Sequence, residues 1–195
     1  MADVHVTAVC GSLREASTTR AALERVLEAA ERGGATTELL DLREYELPTF
    51  DADRDREDAG DAEELAARLR EADAIVLGSP MYHGSFSSPL KTAIDYCGFD
   101  EFRGKTVGLL AVSGGAFPVT ALEHMRSVCR ALSAWVIPHE AAVPNSHSAI
   151  EDGAFADEKL EERVATLGRR AVQYAAIEPD PDSFQSDQNV GAEGK

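Results

Sequence analysis

The chain has 195 residues, 44% of them hydrophobic. That suits one folded domain burying roughly 70% of its unfolded surface without a disulfide or metal staple. It carries 35 Asp and Glu against 19 Lys and Arg, a formal net charge of −16, so most of its surface repels nucleic acid and anionic lipid. The pattern along the chain then alternates between short β-rich runs and longer helical ones. Val4 to Val9 reads as a strand that stops at Gly11-Ser12. From Thr18 to Arg32, Leu23, Val26, Leu27 and Ala30 recur at helical spacing until Gly33-Gly34 ends the helix. Thr36 to Leu42 is a second strand.

Residues 43 to 60 break the pattern. Thirteen acidic and five basic residues crowd Asp41 to Asp73, and the segment reads as a long solvated loop before a short helix over Ala62 to Arg70. Ala74 to Gly78 is apolar throughout, as a buried parallel strand requires. A helix follows from Ser88, the expected N-cap, with Pro89 in its first turn, and runs to about Tyr96. Thr106 to Val112 is another apolar strand, ending at Ser113-Gly114-Gly115. Leu122, Met125, Cys129 and Leu132 mark a helix, and Ala134 to Ile137 a last strand before Pro138. Residues 139 to 156 read as irregular. Leu160, Val164, Leu167, Ala171 and Tyr174 mark a final helix.

Five strands alternating with five helices call for an α/β fold: a doubly wound five-stranded parallel sheet, order 2-1-3-4-5, with helices on both faces. Its ligand is expected beyond the carboxyl ends of the first and third strands, at the switch point. The loops there carry the distinctive residues. The first joins a strand to a helix N-terminus, where amides and the helix dipole favour an anion. Ser12, Ser17, Thr18 and Thr19 add hydroxyls, and Arg14 adds a guanidinium fork. Together they describe a phosphomonoester cradle; a polar turn capped by Ser17 or Thr18 is the plainer reading. Neither the Walker A pattern nor G-x-G-x-x-G is present.

The run Gly11-Ser12-Leu13-Arg14-Glu15-Ala16-Ser17-Thr18-Thr19, about sixty residues before Pro80-Met81-Tyr82-His83-Gly84-Ser85, resembles the NADPH-dependent FMN reductases of flavodoxin-like fold. That family includes azo, quinone and chromate reductases. The similarity continues through Leu90-Lys91-Thr92-Ala93-Ile94-Asp95 and Gly104-Lys105 to Ser113-Gly114-Gly115, covering about residues 3 to 138. The resemblance implies one FMN per site. Ser12, Arg14, Ser17, Thr18 and Thr19 would hold its 5′-phosphate. Pro80, Met81, Tyr82, His83, Gly84 and Ser85 would line the pyrimidine side of the ring, and Ser113, Gly114 and Gly115 would pass beneath it. Three positions, Met81, His83 and Thr19, depart from the family, which often has Glu-Tyr-Asn at Met81-Tyr82-His83 and Asn at Thr19. His83 either hydrogen-bonds a flavin carbonyl or faces solvent. Tyr82 either stacks near the flavin, closes a dimer or packs as an ordinary aromatic, and Phe86 and Phe117 share its rim.

The activity implied is NAD(P)H oxidation with ping-pong delivery of two electrons to a small acceptor: a quinone, azo compound, metal oxyanion or free flavin. No side chain need be catalytic in it. A flavodoxin-like electron carrier is the alternative, although G-S-L-R-E-A-S stands where such carriers usually have T-x-T-G-x-T. The resemblance also implies a homodimer or homotetramer.

The remaining expectations come from the residues. Cys10, Cys97 and Cys129 are odd in number and widely spaced, which points to buried thiols in a reducing cytoplasm and away from zinc or a disulfide framework. No run is long and apolar enough for a membrane span, and MADVHVTAV does not read as a signal peptide. Only four of the basic residues are lysines, a composition expected of a protein adapted to high salt or, more plainly, of an ordinary acidic bacterial protein. Residues 1–177 are expected to form one domain, and 178–195 an acidic disordered tail.

Overall fold

Strand side chains alternate between two covered faces of one sheet, so the central strands are buried almost throughout. A computed structural model describes residues 4–151 and 153–175; the expected tail, 178–195, lies outside them. The elements in order are β1 His5–Cys10, α1 Thr18–Arg32, β2 Thr36–Asp41, α2 Ala62–Glu71, β3 Ala74–Tyr82, β4 Ser85–Phe86, α3 Ser88–Asp95, α4 Phe99–Phe102, β5 Thr106–Val112, α5 Val119–Ala131, β6 Trp135–Val143, α6 Ser146–Ala149, β7 Ile150–Glu151, β8 Ala154–Phe155 and α7 Glu158–Ala175. Five strands run parallel in the order β2-β1-β3-β5-β6, which is 2-1-3-4-5 when only these five are numbered.

Each face of the sheet has its own core. Val6, Ala8 and Cys10 of β1 point to one side, where Leu23 and Val26 of α1 meet Val164, Leu167 and Ala171 of α7. Val9, with Ile75 and Leu77 of β3, points to the other, against Leu65 and Leu69 of α2, Leu90 of α3, Phe102 of α4 and Met125 of α5. A side-chain period of two along strands and 3.6 along helices produces this division. Among the described residues no helix is long and apolar enough to cross a membrane.

Four expectations needed correction. The third strand runs on to Tyr82, through Pro80, and folds back as β4 with Met81 opposite Phe86 and Tyr82 opposite Ser85. The two turn residues, His83 and Gly84, have φ of 51° and 81°. Positive φ at both central positions is what a two-residue hairpin of matching twist requires. The N-cap of α3 is Ser87, not Ser88: its side chain accepts from the Leu90 amide. The last strand does not stop at Pro138. Its register against β5 shifts between Val107 and Leu109, and β6 is an edge strand, a place where proline costs no ladder bond.

The fourth correction is the acidic loop, which is anchored rather than merely solvated. Arg56 donates to Tyr96 O and to Glu101 Oε1 at 3.1 Å each, Arg70 donates to the same oxygen at 2.8 Å, and the Gly98 amide donates to Glu101 Oε2 at 2.7 Å. The Glu101 carboxylate is 2% exposed and needs these donors to be buried as an anion.

The hairpin turn carries a prediction. His83→Val places a β-branched residue at positive φ, which costs about 1–2 kcal/mol. His83→Asn, a residue that tolerates this conformation, should leave the melting temperature unchanged or slightly raised. Thermal melts of both variants check it; equal melting of His83→Val and the parent would mean the turn is not held in this conformation.

Candidate functional site

At the carboxyl ends of β1 and β3 the chain leaves the sheet toward opposite faces and opens a crevice. The two strand ends are tied together there. The Gly11 amide donates to Gly78 O at 2.8 Å, and Ser87 Oγ donates to Gly11 O at 2.6 Å. A Cβ on Gly11 would sit 2.8 Å from Leu90 Cβ and from Ser87 Oγ, so only glycine permits this closeness. Ser79, buried beneath, accepts from the Ser87 amide at 2.8 Å and fixes the start of α3 under the hairpin.

The resulting cleft measures about 250 Å³. Its floor is the loop after β1, from which Ser12, Arg14, Ser17, Thr18 and Thr19 all line it. Ser17 is the N-cap of α1 and accepts from the Arg20 amide at 3.1 Å. The capping reading of this serine is the one seen, and the residue also lines the cleft. The Thr18 and Thr19 amides have no intrahelical acceptor, as in any first turn. Arg20 is committed to Glu24 and to the buried Asp41, whereas Arg14 faces the cleft.

Pro80, Met81 and Tyr82 form a second wall, and Gly114 a third. The structure places the other expected residues around rather than on the lining. His83 and Gly84 form the hairpin tip. Ser85 turns to a neighbouring groove, its Oγ 3.0 Å from His124 Nδ1. Ser113 is buried and donates to Gly115 O at 2.6 Å, shaping the turn that presents Gly114. A Cβ on Gly115 would meet nothing within 4 Å, and one on Gly114 only His147 Nε2, at 3.6 Å. Tyr82 is 53% and Phe117 79% exposed, so neither serves as a core aromatic, while Phe86 packs against the core.

Sequence reasoning missed the side supplied by α6. Ser146 and His147 line the cleft with Ala16 and Val112. The Asn145 amide donates to Gly115 O at 3.0 Å, and the Ser146 amide to Ser113 O at 2.9 Å. Thr18 Oγ1 donates to Ser146 O at 3.3 Å. A serine-rich stretch without periodicity gave no signal for this.

The donor set fits a phosphomonoester attached to a flat group. No Asp or Glu is among the lining residues, although the chain has 35. Arg14, the serine hydroxyls and the α1 N-terminus suit a dianion, and side-chain-free Gly114 and Gly115 leave room for a ring. No cysteine offers a thiolate. Burial pushes the Cys10 thiol up, and burial holds Cys97 and Cys129 at about 12.

A family model described as NADPH-dependent FMN reductase matches residues 4–148. An FMN-dependent NADPH-azoreductase of Staphylococcus saprophyticus is 29% identical over 178 residues, spanning 88% of this chain and 95% of that protein. One from Staphylococcus aureus is 32% identical over 152 residues, spanning 75% and 81%. Among solved structures, an NAD(P)H:(acceptor) oxidoreductase of Paracoccus denitrificans superposes with a TM-score of 0.74 at 21% identity, covering 88% of this chain and 97% of that one. An archaeal flavodoxin superposes at 0.64 with 15% identity, covering 89% and 100%. The fold is flavodoxin-like.

Proposed function

The chain belongs to the NADPH-dependent FMN reductase family, and from that premise we propose that its cleft carries two electrons from NADPH or NADH to a small acceptor such as a quinone, azo compound, metal oxyanion or free flavin. The protein is an NAD(P)H-dependent oxidoreductase with FMN as cofactor. When bound, FMN supplies the hydride chemistry, first with the nicotinamide and then with an acceptor in the same space.

The observation that carries this reading is a cleft lined by Arg14, hydroxyls and the α1 N-terminus, with no Asp or Glu, at the switch point of a strongly acidic chain. Arg14 and the hydroxyls of Ser12 and Ser17 hold the phosphate beside the α1 N-terminus. Pro80, Met81 and Tyr82 present backbone groups to the pyrimidine edge. Gly114 and Gly115 keep side chains away from the ring. Exposed Tyr82 and Phe117 offer aromatic surface to planar substrates at the mouth. No side chain is required as nucleophile or obligatory acid; orientation supplies the rate.

Steady-state rates with varied NADPH at several fixed benzoquinone concentrations should give parallel double-reciprocal lines. Intersecting lines would refute alternate occupancy of one space. The composition supports a cytoplasmic protein adapted to high salt, in which counterions relieve self-repulsion. Its melting temperature should then rise between low and molar KCl, and a flat response would exclude the adaptation. Family resemblance supports a homodimer or homotetramer, which light scattering resolves.

A further inference from the structure

We infer that His147 is an anion-binding residue of the cleft, sharing with Arg14 the charge of the bound 5′-phosphate. The inference rests on the FMN reading above and adds a group that no expected motif contains.

Position comes first. His147 follows Ser146, whose backbone is fixed at both ends: its amide donates to Ser113 O, and its carbonyl accepts from Thr18 Oγ1 in the first turn of α1. The residue after it is thereby set between the helix end that attracts an anion and the glycine loop. The imidazole lines the same cleft as Arg14, Ser12 and Ser17, and its Nε2 lies 3.6 Å from where a Gly114 side chain would begin.

Charge comes second. The titratable or charged groups on the segments around it are Arg14 and Glu15 in the first loop, Arg20 on α1, Tyr82 and His83 at the hairpin, and Glu151 on β7. Arg20 is taken up by Glu24 and Asp41. Of the others only Arg14 and Tyr82 share the cleft lining with His147. Arg14 and His147 are thus the lining residues able to carry positive charge, with no carboxylate on the lining to neutralise either.

Histidine gains its charge between about pH 5 and 8. An imidazolium adds an attraction to a phosphate dianion that a neutral imidazole lacks. The extra attraction is present at the acidic end and lost as pH rises. Riboflavin has the same ring and no phosphate, so it lacks this term. The phosphate's own second ionisation, near pH 6, works in the opposite direction; a variant without the imidazole reports it alone.

The test titrates the full chain, freed of flavin, with FMN and with riboflavin at about pH 6 and about pH 8.5, following flavin fluorescence. His147→Gln should weaken FMN about tenfold at the lower pH and less than about twofold at the higher, with riboflavin unchanged at both. His147→Lys, charged at both values, should bind FMN tightly at both. FMN affinity unaltered by His147→Gln at the lower pH overturns the assignment. So does an equal loss for FMN and riboflavin, which would put the imidazole on the ring. If the unsubstituted chain binds neither flavin, the FMN reading itself fails, a distinguishable result.

Discussion

Arg14→Ala is expected to weaken FMN binding by roughly 10- to 100-fold while leaving riboflavin binding and the melting temperature nearly unchanged. Hydrogen bonds to charged groups contribute about 1.5–3 kcal/mol, and a guanidinium on a phosphate dianion belongs to the stronger kind. Nothing in the fold depends on this side chain: it is exposed and lines the cleft. Arg14→Lys should fall between, because an ammonium keeps the charge and loses the fork. Equilibrium titration with the two flavins separates the phosphate from the ring. An FMN affinity untouched by Arg14→Ala would remove the phosphate from this loop.

The second large effect is on stability. Gly168 lies on α7 where it crosses α1, and a Cβ there would stand 2.0 Å from Val26 O and 3.0 Å from Val26 C. Both helices are keyed into the sheet by Leu23, Val26, Val164 and Leu167. The clash is with backbone, so no rotamer change relieves it. Alanine gains about 1 kcal/mol over glycine in helix propensity. Against that stands overpacking at or beyond the upper end of about 1–3 kcal/mol. The net expectation is a loss of about 2–3 kcal/mol, lowering the melting temperature by about 4–12 °C. An unchanged or raised melting temperature would mean that α7 stands further from α1 than described.

How much of this was legible in the sequence depends on how local each cause is. Helix α1 begins and ends where expected because Ser17 caps it and Gly33-Gly34, the second at φ 89°, stops it. Strand β5 matches its apolar run because that run is buried on both faces. The residues of the loop after β1 converge because a strand, a tight turn and a helix N-terminus are consecutive. Elsewhere the decisive partner is distant. Ser87 and Ser88 are equivalent as capping signals; what selects Ser87 is its bond to Gly11 O, 76 residues away. The third strand reads as ending at Gly78 and the last before Pro138, yet Pro80 and Pro138 are both carried inside strands, the latter tolerated because β6 is an edge. The acidic loop reads as solvated because Arg56 and Glu101 are 45 residues apart, and only the fold brings them together. His147 gave no signal for the same reason: Gly114 beside it, and Thr18 that holds Ser146, come from distant parts of the chain.

Binding of FMN in this cleft, and its reduction there by NAD(P)H, can be read from one spectrum. The most direct measurement is the visible spectrum of the purified full chain in high-salt buffer with FMN added, before and after anaerobic NADPH, with NADH as the second reductant. Flavin bands that stay with the protein and bleach on addition of the reduced nicotinamide are the result expected here. Bands that bind but do not bleach with either nucleotide would make the protein an electron carrier. Failure to retain any flavin would contradict the account outright.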